Sequence, residues 1–172
     1  WDELLAIWRE LDADSNFDSL WLMDHFVTGF GMAFGSEGPC LEGWTALAAL
    51  AQATSRVRLG IMVTGNTYRH PAVLAKQATT VDHISRGRLE LGIGAAWHTY
   101  EHEAFAIPFY SPRERAERLE EAVHHVGRQV GMRGVVVPPA PAAVRVLVVV
   151  EPFQPIADHV GQLAHQRGML PV

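Results

Sequence analysis

Apolar and polar positions divide residues 17–97 into three short apolar runs separated by stretches of helical length. Phe17–Met23 runs into Asp24-His25-Phe26, Val57–Val63 into Thr64-Gly65-Asn66-Thr67, and Arg88–Ile93 into Gly94-Ala95-Ala96-Trp97. Each run has strand length, and each ends in a polar or glycine-rich corner. The alternation predicts strand–helix–strand–helix–strand, the pattern of a parallel sheet with crossover helices. Ligands of such folds gather at the carboxyl ends of the strands, which places Asp24, His25, Thr64, Asn66 and the Gly92/Gly94 corner together.

The flanking stretches read as helices. Leu4, Leu5, Trp8 and Leu11 fall on one face at spacings of three and four, so residues 1–14 form an amphipathic helix. Residues 42–54 are rich in Ala and Leu and suit a buried helix. Pro71 opens the next, because proline fits the first helical turn, and Gly87 is the expected left-handed stop. A short helix is expected over residues 97–106. Another starts at Ser111-Pro112, with Ser111 as cap and Glu114 as the reciprocal acid. A glycine-rich loop, residues 27–39, follows the first strand and is long for such a connection. From about residue 127 the composition shifts to Val, Ala, Pro and Gly. Residues 1–130 are therefore expected to form the α/β domain and 131–172 a distinct tail. Within that tail, 138–141 reads as a polyproline linker, 144–150 as a fourth strand and 155–167 as a final helix.

Composition narrows the partners. Hydrophobic residues make up 48% of the chain, enough to bury a core, and the net charge of −5 argues against nucleic acid or an anionic membrane. No apolar run reaches the roughly 18–20 residues of a membrane span. The single cysteine, Cys40, excludes an internal disulfide framework and fits a reducing cytoplasm. Its expected role is that of a passive thiol. The chain begins at Trp1 without a signal peptide or initiator Met, so the start of the protein is expected upstream.

Several stretches together carry a family likeness. They are Trp1-Asp2-Glu3-Leu4-Leu5, Phe17-Asp18-Ser19-Leu20-Trp21, Asp24-His25-Phe26, residues 45–50, Thr64–Pro71, Asp82–Gly92, and Trp97-His98 with Glu101-His102. Over residues 1–126 the chain resembles the luciferase-like monooxygenases, most of all the branch that uses the deazaflavin coenzyme F420, with users of flavin mononucleotide (FMN) as near relatives. The resemblance implies a TIM-type (β/α)8 barrel, of which these strands are the second, third and fourth. A whole barrel takes roughly 250 residues, so a partial barrel is expected. It also implies a flavoprotein-type oxidoreductase acting on a small-molecule substrate, by hydride transfer with F420 or by monooxygenation with FMN.

The same resemblance assigns candidate residues. His25 would face the coenzyme ring as acid or base, a role that suits a side chain titrating near neutrality. Read from its position alone, His25 is more simply a corner residue bonded to a backbone carbonyl. Asp24 either bonds the coenzyme or caps the following loop. Met62, Val63 and Thr64 align with a non-prolyl cis peptide that the family presses against the ring; read alone, they are a buried strand end. Gly94, Ala95, Ala96 and Trp97 would let backbone amides approach an anion before a helix, although tight strand–helix packing explains the small residues as well. Some sugar-phosphate-oxidising relatives carry a glutamate where this chain has Trp97, which argues against their substrate.

Two further readings stand beside this one. His98-Thr99-Tyr100-Glu101-His102 spells H-x-x-E-H, a zinc-hydrolase pattern if both histidines share a helical face. Alternatively, the chain is a catalytically silent barrel portion that associates with itself through open sheet edges.

Overall fold

Every strand of the sheet pairs in parallel with its neighbour in chain order, so each connection is a crossover. The structure, a computed structural model, describes residues 1–28, 38–129 and 145–149. The elements run α1 (Asp2–Ala13), β1 (Ser19–Leu22), α2 (Gly43–Ala53), β2 (Arg58–Gly65), α3 (Pro71–Ser85), β3 (Leu89–Gly94), α4 (Thr99–Ala104), α5 (Pro112–Gln129) and β4 (Arg145–Val149). The sheet order is β1-β2-β3-β4. Leu20 pairs with Leu59, Leu59 with Leu89, and Leu91 with Val146. The α/β class and the three expected strands are observed, and the 144–150 run supplies β4. The expected linker at 138–141, the helix at 155–167 and most of the glycine-rich loop lie outside the described residues.

Strand alternation divides the sheet into two unlike faces. Leu20, Leu59, Ile61, Leu89, Leu91 and Ile93 are buried against the helices, where they meet Leu47, Leu50, Leu74, Ala78, Val81, Leu119 and Ala122. Trp8 of α1 joins this core as its spacing predicts. The opposite face carries Arg58 ion-paired to Glu90. Gly60 lies on that face too: a Cβ there would sit 2.6 Å from the Trp21 ring and 2.3 Å from the Glu90 carbonyl oxygen.

Helix ends follow the local chemistry, with three corrections. Glu42 caps α2 by accepting from the Trp44 and Thr45 amides, and His70 caps α3 ahead of Pro71. At the other end of α3 the left-handed turn begins at Arg86 (φ 60°), one residue before Gly87 (φ 83°). The helix expected from Trp97 starts only at Thr99, because His98 caps it. Ser111 does accept the Glu114 amide (3.3 Å). The Glu114 carboxylate, however, binds Arg118 one turn on. At the amino ends of the strands, Arg88 donates to the carbonyls of Ala51 (2.7 Å), Thr54 (2.9 Å) and Val57 (2.8 Å), tying the end of α2 to the start of β2. No helix among the described residues is long and apolar enough to cross a membrane.

Candidate functional site

The corner after β1 is built around a buried carboxylate. Both Asp24 oxygens accept from Arg69, at 2.5 and 2.7 Å, and one also accepts the Gly65 amide at 3.0 Å. Arg69 reaches on to Glu42 at 3.2 Å. Asp24 thus joins the end of β1 to the end of β2 and the loop before α3. Burial pushes its carboxyl above the ordinary value, against the pull of the Arg69 guanidinium and the Gly65 amide. Burial alone would lower Arg69, but the contacts with Asp24 and Glu42 outweigh it and keep the guanidinium charged.

His25 turns the other way. Its Nδ1 lies 2.9 Å from Oε2 of Glu101, which is fully buried on α4. The same carboxylate accepts the Phe26 amide (2.7 Å), the Val27 amide (3.2 Å) and the Tyr68 hydroxyl. Burial raises the Glu101 carboxyl, but the hydrogen bonds from His25, Tyr68 and Phe26 prevail and hold it at about 2. Burial and the Glu101 charge together raise the Tyr68 phenol.

The remaining sequence candidates fall into two groups. Met62 and Trp97 are exposed, at 50% and 43%, and the Trp97 ring meets the His25 ring edge-on at 5.7 Å. Met23 (56%) and Leu41 (50%) also expose apolar surface on the chain flanking His25. Cys40 donates its thiol to the His25 carbonyl (3.2 Å). The peptide between Met62 and Val63 is cis, and the β2–β3 register shifts between Ile61 and Thr64. Thr64, by contrast, is wholly buried and accepts from the Trp44 indole at 3.1 Å. Gly94 ends β3 beside Gly65, Ala95 packs into the core, and Ala96 adopts a left-handed φ of 63° with its carbonyl bound by Arg115. These three precede α4, which starts at Thr99. Close strand packing explains Gly92, where a Cβ would lie 2.4 Å from the Ile61 carbonyl oxygen.

Residues 1–149, through the whole described sheet, match the family model of the luciferase-like monooxygenases. The chain belongs to that family. It is 28% identical over 130 residues to 4-hydroxyprotoasukamycin monooxygenase of Streptomyces nodosus subsp. asukaensis, covering 73% of this chain and 33% of the relative. It is 36% identical over 111 residues to an F420-dependent glucose-6-phosphate dehydrogenase of Kineococcus radiotolerans, covering 64% and 32%. The crystal structure of monooxygenase RslO1 from Streptomyces bottropensis superposes with a TM-score of 0.63 at 28% identity, over 86% of this chain and 46% of that one. The chain spans about a third of the length of these curated relatives. Its sheet is thus a portion of the luciferase-like barrel.

Within this luciferase-like chain the H-x-x-E-H run does not form a metal site. His98 precedes the helix, and its Nδ1 accepts the Glu101 amide (3.3 Å). His102 Nδ1 donates to the His98 carbonyl (2.8 Å), so its Nε2 is left to accept the Thr67 hydroxyl (2.7 Å). Glu101 faces His25. Among the described residues no group of three His, Cys, Asp or Glu is placed to hold a metal ion. Glu101, Tyr68 and Arg69 are the residues that sequence reasoning missed as site members. The signal available was the luciferase-like motif itself, which contains all three but does not say which way they point.

Proposed function

We propose that this chain forms part of the active site of an oxidoreductase that moves hydride between a substrate carbinol carbon and coenzyme F420, with FMN as the alternative ring and monooxygenation as its reaction. The observation that carries the reading is His25: its side chain is 20% exposed, at the strand ends, edge-on to Trp97. A flat heteroaromatic ring suits the exposed apolar surfaces of Met62 and Trp97, and an imidazole at its edge suits proton exchange. F420, when bound, supplies the hydride acceptor. His25 accepts the hydroxyl proton as the carbinol carbon loses its hydrogen and the carbonyl forms; in the reverse direction it returns that proton. Met62 and Trp97 keep water from the reacting carbon. Arg69, the cation tied to this corner, is already held by Asp24 and Glu42, so a coenzyme phosphate calls for other groups.

The test is a fluorescence titration of the purified chain with F420 and with FMN. Saturable micromolar binding of one ring is expected, weakened by His25→Ala. Absence of binding by both withdraws the reading.

A further inference from the structure

Glu101 holds His25 from inside the protein. Its side chain has no exposure, and its two oxygens are divided between two kinds of donor. Oε1 accepts the Phe26 and Val27 amides, which can only donate; Oε2 faces His25 Nδ1 and the Tyr68 hydroxyl. The backbone amides keep the carboxylate from turning. Among the described residues, His98, whose ring lies 5.6 Å from that of His25, and Trp97 also face this pair. His98 Nδ1 stands 3.9 Å from Oε2 but accepts the Glu101 amide. The Cys40 thiol donates to the backbone carbonyls of His25 and Leu41 and makes no described hydrogen bond to the imidazole.

We propose that Glu101 is the positioning residue of this site: it fixes neutral His25 as the Nδ1–H tautomer and leaves the Nε2 lone pair as the proton acceptor. An ionised carboxylate accepts only, so the imidazole nitrogen opposite it must donate. With one proton on a neutral ring, Nε2 then carries no proton. When Nε2 gains a proton, the resulting imidazolium stays 2.9 Å from a carboxylate, which stabilises its charge. The assignment of Nε2 to a substrate proton rests on the function proposed above; the tautomer does not.

Glu101→Gln gives a decisive variant. Glutamine keeps the shape, and its carbonyl oxygen stays with the Phe26 and Val27 amides. Its NH2 group then replaces Oε2 and can only donate. His25 Nδ1 must accept, the ring proton moves to Nε2, and the Tyr68 hydroxyl rotates to accept as well. The experiment is nitrogen NMR of the full 172-residue chain with 15N-labelled histidine, at a pH where His25 is neutral. The expected result is a protonated Nδ1 and an unprotonated Nε2 in the wild type, with the two exchanged in Glu101→Gln. A merely structural Glu101 would leave the tautomer unmoved by this substitution, and that result overturns the proposal. So does a wild-type spectrum with the proton on Nε2, which decides the matter even if the variant fails to fold. The coenzyme titration is independent: its failure removes the proposed function and leaves the tautomer assignment standing.

Discussion

Asp24 and Arg69 face each other in a two-point ion pair, 2.5 and 2.7 Å, whose side chains are only 2% and 10% exposed. Their attraction offsets the cost of taking both charges out of water only while both partners remain. Asp24→Asn removes one charge and leaves a buried guanidinium with Glu42 as its remaining acid. The expected loss is about 3 kcal/mol of stability. It is measured by urea unfolding near neutral pH, and a loss below about 1 kcal/mol would mean that the pair is far wetter than its burial implies.

Gly92 is constrained by its neighbour strand. A methyl there would approach the Ile61 carbonyl oxygen to 2.4 Å, and that oxygen belongs to the backbone. A flexible side chain could move aside; a strand carbonyl moves only with the ladder. Gly92→Ala is expected to destabilise by about 2 kcal/mol and to speed amide exchange in β2 and β3 more than in α1. Exchange that rises equally everywhere would point to a global effect with no local seat at the β2–β3 contact.

The fold was legible where one local rule decides an element. Pro71 at the first turn of α3, the Leu4/Leu5/Trp8/Leu11 stripe and the apolar runs of β1, β2 and β3 each depend on period or proline chemistry. The site was legible only as a set of corners. His25 and Trp97 do meet after the strand ends, but which way each side chain points depends on partners far along the chain. His25 takes its orientation from Glu101, 76 positions later, and Thr64 is turned inward by Trp44, 20 positions earlier. No periodicity contains those pairings. The misread helix start has the same origin. His98 fits a helix by spacing, yet its ring caps the Glu101 amide, a choice that depends on where Glu101 is anchored.

The Glu101 carboxyl makes stability depend on acid. Its value of about 2 in the folded chain lies below its ordinary 4.5. The contribution is therefore fully present above about pH 4.5 and disappears as pH falls towards 2. That difference is worth up to about 3 kcal/mol. Urea unfolding at pH 6 and at pH 3 is expected to show a steeper loss in the wild type than in Glu101→Gln, which has no proton to gain at this site. Parallel losses in the two proteins would place the acid sensitivity elsewhere.

Tyr68→Phe isolates one of the bonds that hold Glu101 down. The phenol donates to Oε2, so its removal raises the Glu101 carboxyl and moves the acid limb of stability to higher pH. The amides of Phe26 and Val27 remain, so the loss at neutral pH is expected to be that of one hydrogen bond to a charged group, about 1.5–3 kcal/mol.

Trp97 gives the sharpest test of the ring site. It is 43% exposed, so the core does not depend on it, yet its ring meets His25 edge-on. Trp97→Ala is expected to weaken coenzyme binding about 2- to 10-fold, the worth of one aromatic contact, with little change in Tm. Ile7→Ala on α1 is the control, since Ile7 is comparably exposed at 51% and lies on a helix that packs on α2. If both substitutions weaken binding alike, the effect is a general loss of stability. If neither does, the ring does not sit against Trp97, and the apolar surface beside His25 has some other occupant. A loss confined to Trp97→Ala ties the coenzyme to the same face on which Glu101 aims the imidazole, because the His25 side chain meets both the Trp97 ring and the Glu101 carboxylate.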